Sequence, residues 1–186
     1  MEKKGREELR SQLLALLKKE AFRRGDFLLS SGKRSNYYLD ARVVTLSAKG
    51  AYLTAGIILD MAKENKVGAV GGPTIGADPI VGALAACSYL SAIPLKTFIV
   101  RKSAKEHGTQ RQIEGPALKK GERVILVDDV ATTGKALIEA KSALDLMGVE
   151  IIKAIVIIDR DEGARENLLK AGLTLESIFT IKDFIP

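Results

Sequence analysis

The sequence predicts an α/β fold: a parallel sheet flanked by helices, preceded by a small N-terminal region. Three observations lead there. From residue 67 onward, short apolar runs alternate with stretches of helical periodicity. The runs are almost continuously apolar, above all residues 151–158, as expected for strands covered on both faces. Glycines such as Gly148 and Gly172 stand where helical patterns stop.

Each element follows from its local pattern. Leu9, Leu13, Leu16 and Leu17 fall on one face of a helix over 6–21. A strand at 26–29, a polar turn at 30–36 and a returning strand at 37–39 form a hairpin. Leu53, Ile57, Ile58 and Met61 mark a helix over 48–64. Then come a strand at 67–71, a helix at 77–91, a strand at 95–100 and a polar loop at 101–121. A buried strand at 123–127 leads to a helix at 133–147, whose inner face carries Leu137, Ala140, Leu144 and Met147. The strand 151–158, a helix at 162–171 and a strand at 174–179 complete the chain. No repeat, linker or low-complexity segment interrupts it, so 186 residues are read as one domain.

Composition excludes several classes. With 46% hydrophobic residues the chain is not disordered. The single cysteine, Cys87, sits beside Ala85 and Ala86 and reads as a small core residue; it cannot form an internal disulfide. The N-terminus is too charged for a signal peptide, and the apolar stretch 79–95 is too short to span a bilayer. A cytoplasmic protein without a membrane partner is expected. The formal charge of +6 favours anionic partners. With 5% aromatics and no Trp, stacking on nucleic acid is disfavoured relative to a small phosphorylated substrate.

Residues 124–136, VILVDDVATTGKA, carry the chemistry. An apolar strand runs into Asp128 and Asp129, then into Val130, Ala131, Thr132, Thr133 and Gly134, then into a helix. Backbone amides at such a turn, with the positive end of the helix dipole, bind phosphate. The small residues allow close approach, and the threonines add hydroxyl donors. Two carboxylates would repel a bare anion. They suit a ligand that also offers ribose hydroxyls or a bound Mg²⁺. A Walker A loop is absent, since Gly134-Lys135 is followed by Ala136.

This segment resembles the signature by which type I phosphoribosyltransferases bind 5-phosphoribosyl 1-diphosphate (PRPP). Three further stretches resemble the orotate-specific members. They are Arg101-Lys102-Ser103-Ala104-Lys105-Glu106-His107-Gly108, the hairpin from Ser31-Gly32 to Tyr37-Tyr38-Leu39-Asp40, and Asp159-Arg160. The resemblance covers residues 31–163. It implies the type I fold, with residues 1–45 forming an N-terminal hood. It implies transfer of phosphoribose from PRPP to orotate, giving orotidine 5′-monophosphate and diphosphate in pyrimidine synthesis. By resemblance, Asp128, Asp129, Lys105 and His107 are catalytic. PRPP is held by Arg101, Lys102, Lys105, His107, Asp128 and Asp129 and by the cradle Val130, Ala131, Thr132, Thr133, Gly134, Lys135 and Ala136. Orotate meets Thr132, Arg160 and Tyr38. Mg²⁺ is held mainly through substrate and water near Asp128 and Asp129. A homodimer is implied, with loop 101–116 reaching the neighbouring site. Two departures concern the diphosphate end, where Ser30 and Gly76 replace lysines common in the family. In GPTIGADP, Thr74, Gly76 and Asp78 are expected to line that end through backbone groups. The alternatives are a purine-base phosphoribosyltransferase and a PRPP-sensing regulator of the same fold, although the chain shows no appended helix-turn-helix.

Overall fold

The structure is a computed structural model that describes residues 3–28, 34–102 and 112–185. Helix α1 (Lys3–Glu20) is followed by the antiparallel pair β1 (Phe22–Leu28) and β2 (Arg34–Leu39). A short helix α2 (Arg42–Thr45) and helix α3 (Ala48–Glu64) lead into the main sheet. The Ser47 hydroxyl caps α3 by accepting from the Gly50 amide. The remaining elements are β3 (Ala69–Pro73), α4 (Ala77–Leu90), β4 (Lys96–Val100), β5 (Ile113–Glu114), β6 (Arg123–Ala131), α5 (Lys135–Asp145), β7 (Glu150–Asp159), α6 (Ala164–Lys170), β8 (Leu175–Thr180) and a 3₁₀ turn at Ile181–Asp183.

The sheet order is β5-β4-β3-β6-β7-β8. All pairings are parallel except β5 on β4, so the expected parallel sheet is a mixed one with an antiparallel edge. That edge strand lies inside the stretch expected to be loop. Two residues carry no readable period, and β5 exists because Val100 and Ile99 offer it a partner.

Alternation along the strands divides the core. Val70, Ile125, Val127, Ile155 and Ile157 face α1, α3 and α4, against Leu13, Leu17, Leu53, Ile57 and Leu84. Ala69, Val124, Leu126, Ala154 and Val156 face α5 and α6, against Leu137, Ala140, Leu144 and Leu168. Full burial of each such side chain contributes roughly 1.5–3 kcal/mol. Cys87 is half-buried against the first of these clusters.

Two boundaries differ from expectation in a way that matters. Strand β6 continues to Ala131, because Asp128, Val130 and Ala131 keep pairing with Val156, Ile158 and Asp159 of β7. The acid pair therefore belongs to the strand rather than to the turn after it. Helix α5 begins at Lys135 instead of 133, because Gly134 adopts φ 76°, which helical residues do not.

The order in which the chain lays down strands reverses between the parallel neighbours β3 and β6. The connection through α4 carries the chain from β3 to β4 on one side. The connections through α5 and α6 carry it from β6 to β7 and β8 on the other. The carboxyl ends of β3 and β6 thus border a crevice at the topological switch point, where open α/β sheets bind ligands.

Candidate active site

The crevice is built from both strand ends. Gly72 brings them together: a Cβ there would run into the Val127 carbonyl and lie 2.9 Å from Ala77 Cβ. Beyond β3, the chain passes the cis Thr74-Ile75 peptide and Gly76 into α4. Gly76 packs against the acid pair so closely that a Cβ would meet Oδ1 of both Asp128 and Asp129. A side chain in the position of the expected lysine therefore requires both carboxylates to move.

Both acids bind local amides. Asp128 Oδ1 accepts from the Asp129 amide at 2.9 Å, and Asp129 Oδ1 accepts from the Val130 amide at 2.7 Å. Burial pushes the Asp128 carboxyl well above its usual range, and the charge of Asp129 adds to the rise. Burial also raises Asp129, opposed by the Val130 amide and by Arg42. Asp78, in the first turn of α4, is likewise raised by burial, and its charge contributes to the rise at Asp128. Its Oδ1 is buried without a hydrogen-bond partner among the described residues.

Asp128 and residues 130–137 line a cavity of about 170 Å³. The first-turn amides of α5 have no intrahelical partner and suit an anion there. The Asn167 side chain donates to the Thr133 carbonyl at 3.0 Å and braces the turn from α6. A Cβ on Gly134 would meet Leu168 at 3.0 Å in a left-handed conformation. Gly134→Ala is expected to cost about 1–2 kcal/mol, read as a lower melting temperature in thermal denaturation.

A second cavity of about 190 Å³ adjoins the first through Val130. It is lined by Tyr38, Leu39, Asp40, Ala41, Arg42, Ile75, Gly76 and Asp129. Arg42 grips Asp40 with Nε and Nη2, both at 2.9 Å, which raises the guanidinium and holds the Asp40 carboxyl below its usual range. Arg42, Asp40 and Ile75 were not read from the sequence as site residues. The motif's own spacing gives no signal for them, since they arrive from α2, the end of the hairpin and the β3–α4 connection.

The sequence-predicted residues converge in three groups. Asp128 and the run from Val130 to Ala136 surround the first cavity; Tyr38 and Asp129 face the second. Arg101 and Lys102 line a small recess with Thr74 and Ala136, at the base of the long loop. That base is closed by the Arg101 amide on the Gln112 carbonyl at 2.8 Å and the Gln112 side chain on the Arg101 carbonyl at 2.9 Å. Lys105 and His107 lie outside the described residues. The Arg160 amide donates to the Ala131 carbonyl at 2.9 Å, beside the cradle. Its side chain meets Tyr37 and Glu162 rather than either cavity's lining. Tyr37 is the tyrosine that sequence reasoning passed over. Strand alternation puts Tyr37 and Tyr38 on opposite faces, with Tyr37 stacked on Phe22 and Tyr38 beside Phe27.

Comparison with known proteins agrees with this geometry. The phosphoribosyl transferase domain family matches residues 45–182. The orotate phosphoribosyltransferase of Aquifex aeolicus is 42% identical over 179 residues, covering 95% of this chain and 97% of that protein. The crystal structure of the Mycobacterium tuberculosis orotate phosphoribosyltransferase in complex with Fe(III) dicitrate superimposes with a TM-score of 0.83 at 34% identity. It covers 96% of this chain and 99% of that one. The same enzyme in complex with PRPP gives a TM-score of 0.75 at 28% identity, covering 95% and 92%. With the acid pair, the cradle and the loop base assembled at the switch point, and with relatives matching along nearly its whole length, the chain belongs to the orotate phosphoribosyltransferases.

Proposed function

We infer that this protein transfers the phosphoribosyl group of PRPP to orotate, forming orotidine 5′-monophosphate and diphosphate, a step of pyrimidine synthesis. One observation carries the reading: Asp128 and the cradle 130–137 enclose a single cavity at the switch point, beside a second cavity of base size. The 5-phosphate fits the amides of the cradle, with the hydroxyls of Thr132 and Thr133. Asp128 and Asp129 accept hydrogen bonds from the ribose hydroxyls. Orotate lies against Tyr38 in the second cavity, with Thr132 of the adjoining cradle as a further contact and with its carboxylate turned to Arg160 at the cradle's edge.

In the reaction the anomeric carbon loses its bond to diphosphate and gains one to an orotate nitrogen. Positive charge grows on the ribose while negative charge grows on the leaving group. The carboxylates of Asp128, buried, and Asp129, half-buried, favour the former. Arg101 and Lys102 at the loop base, with Lys105 and His107, favour the latter, and His107 can protonate the departing diphosphate. The donor set fits Mg²⁺ bound with substrate: two adjacent carboxylates, and among the described residues no group of three or more His, Cys, Asp or Glu side chains able to hold a metal alone. Bound there, Mg²⁺ would neutralise diphosphate charge.

Purified protein mixed with orotate, PRPP and Mg²⁺ is expected to consume the orotate absorbance. A stable signal would refute the assignment, and a panel of purine bases tests the specificity. Lys105→Ala is expected to lower turnover far more than PRPP affinity; comparison of kcat with a PRPP titration checks this.

The assembly we propose is a homodimer in which loop 101–116 serves the neighbouring site. Val43 on α2, Leu46 just after it, Tyr52 on α3 and Ile75 at the second cavity expose large apolar side chains, as an interface requires. Sedimentation at micromolar concentration tests it. A cytoplasmic location accords with a biosynthetic role. No described helix is long and apolar enough to cross a membrane.

A further inference from the structure

We propose that Tyr37 and Glu162 are positioning residues for Arg160 and through it set the preference for a base bearing a carboxylate. The inference rests on the reading of Arg160 as the partner of that carboxylate.

Arg160 follows the last residue of β7. Its neighbour Asp159 is fully buried, accepts the Asp161 amide at 3.0 Å on Oδ1, and forms an ion pair with Arg165, whose Nε lies 2.8 Å from Oδ2. The Arg160 amide is tied to the Ala131 carbonyl, so its Cα is set beside the cradle. The long side chain still has to be aimed. Tyr37 and Glu162 do so from two sides. Arg160 Nε donates to Tyr37 Oη at 3.1 Å, across 123 residues of sequence. The guanidinium carbon lies 5.2 Å from the centroid of the Tyr37 ring. Nη2 lies 2.8 Å from Glu162 Oε1. Only 16% of the arginine side chain is exposed.

A guanidinium has five N–H donors in a rigid planar fork. Tyr37 accepts from Nε, and the Glu162 carboxylate forms an ion pair at Nη2. Among the described residues Nη1 has no partner, and Nη2 carries a second N–H beyond the one facing Glu162, so the Nη1–Nη2 end stays open to a ligand. That end is the geometry that grips a carboxylate with two parallel hydrogen bonds. The arrangement uses one edge of the arginine for the protein and leaves the other for the ligand. An exposed ion pair alone would leave the side chain free to wander; here it is ordered before any substrate arrives, so binding does not bear that entropy loss.

Tyr37 is itself held. Its ring stacks on Phe22 at 5.7 Å and 27°, and Phe22 lies 5.6 Å from Phe184 near the C-terminus. Ser35 Oγ donates to the Tyr37 carbonyl at 2.7 Å. The N-terminal hairpin thus works as a fixed arm bearing on the arginine.

The test is steady-state kinetics of the full chain with Mg²⁺, orotate and PRPP varied in turn. Five proteins are compared with the parent: Tyr37→Phe, Glu162→Gln, Arg160→Ala, and the doubles joining each of the first two to Arg160→Ala. A hydrogen bond to a charged group corresponds to about a tenfold change in an equilibrium constant. Tyr37→Phe and Glu162→Gln are each expected to raise KM for orotate about tenfold, with KM for PRPP and the melting temperature unchanged. In the Arg160→Ala background neither should add more than about twofold, since a residue acting through the arginine has nothing left to act on. Where turnover is too slow, calorimetric affinity for orotidine 5′-monophosphate supplies the same comparison. Orotate KM unchanged in both single variants, KM rising equally for both substrates, or full effects persisting without Arg160 would overturn the positioning role alone. An Arg160→Ala protein with unchanged orotate KM would overturn the carboxylate reading as well.

Discussion

Asp128→Asn is expected to lower phosphoribosyl transfer by about 100-fold or more while making the unliganded protein more stable. The carboxyl is buried and sits beside Asp129, and both factors raise its pKa. A raised carboxyl pKa means that the folded chain holds the proton more tightly than the unfolded chain does. Its contribution to stability is complete below the unfolded value and is lost as pH rises through the folded one. Burial and the neighbouring Asp129 disfavour the ionised form of Asp128, and asparagine cannot ionise. The amide oxygen can still accept the Asp129 N–H, so the local turn survives. Each kcal/mol gained is worth about 2–4 °C in a domain of this size. Calorimetry at pH 7 should show a higher melting temperature, and the gain should shrink as pH falls and Asp128 in the parent protein takes up its proton. A variant equally inactive but less stable would show that Asp128 is structural, not held at a cost for function.

Gly72→Ala is expected to damage both fold and site. The added Cβ would enter the space of the Val127 carbonyl, a backbone atom that cannot rotate away, and would press on Ala77. Overpacking of this kind costs about 3 kcal/mol, or a fall in melting temperature of roughly 6–12 °C. Strand β3 must draw away from β6, so Thr74 and Gly76 leave the acid pair, and KM for PRPP should rise in the fraction that folds. Thermal melts and PRPP kinetics on one preparation check both. Gly134→Ala should be milder by comparison, since Leu168 is a side chain that can yield.

The strength of these effects depends on how the chain brings distant segments together, and that is where sequence and structure divide. The helix at 48–64 and the strand at 151–158 were readable because amphipathic and continuously apolar patterns follow from burial on one face or two. The cradle was readable because all its parts are consecutive: the acids, the small residues and the helix start lie within 124–136. Residues 29–33 and 103–111, with Lys105 and His107, lie outside the described residues, so the loop assignment stands on resemblance alone.

Local pattern failed where a partner strand or a close contact makes the decision. Strand β5 has two residues and exists through β4. The extension of β6 across Asp128 and Asp129 depends on β7 continuing beside it, which overrides the low strand preference of aspartate. The acids looked like turn residues and are strand residues, which explains why Asp128 is buried and Asp129 half-buried.

The α/β class, the phosphate cradle and the family are legible in the amino-acid order, because each is carried by contiguous residues whose chemistry acts locally. Folding in three dimensions settles that Gly76 leaves no room for a lysine without moving the acid pair, that Arg42 faces the same cavity as Asp129, and that Tyr37 rather than Tyr38 holds Arg160. These relations join segments 52 to 123 residues apart, and their geometry is fixed by the packing of the sheet and hairpin, to which no single stretch of sequence has access.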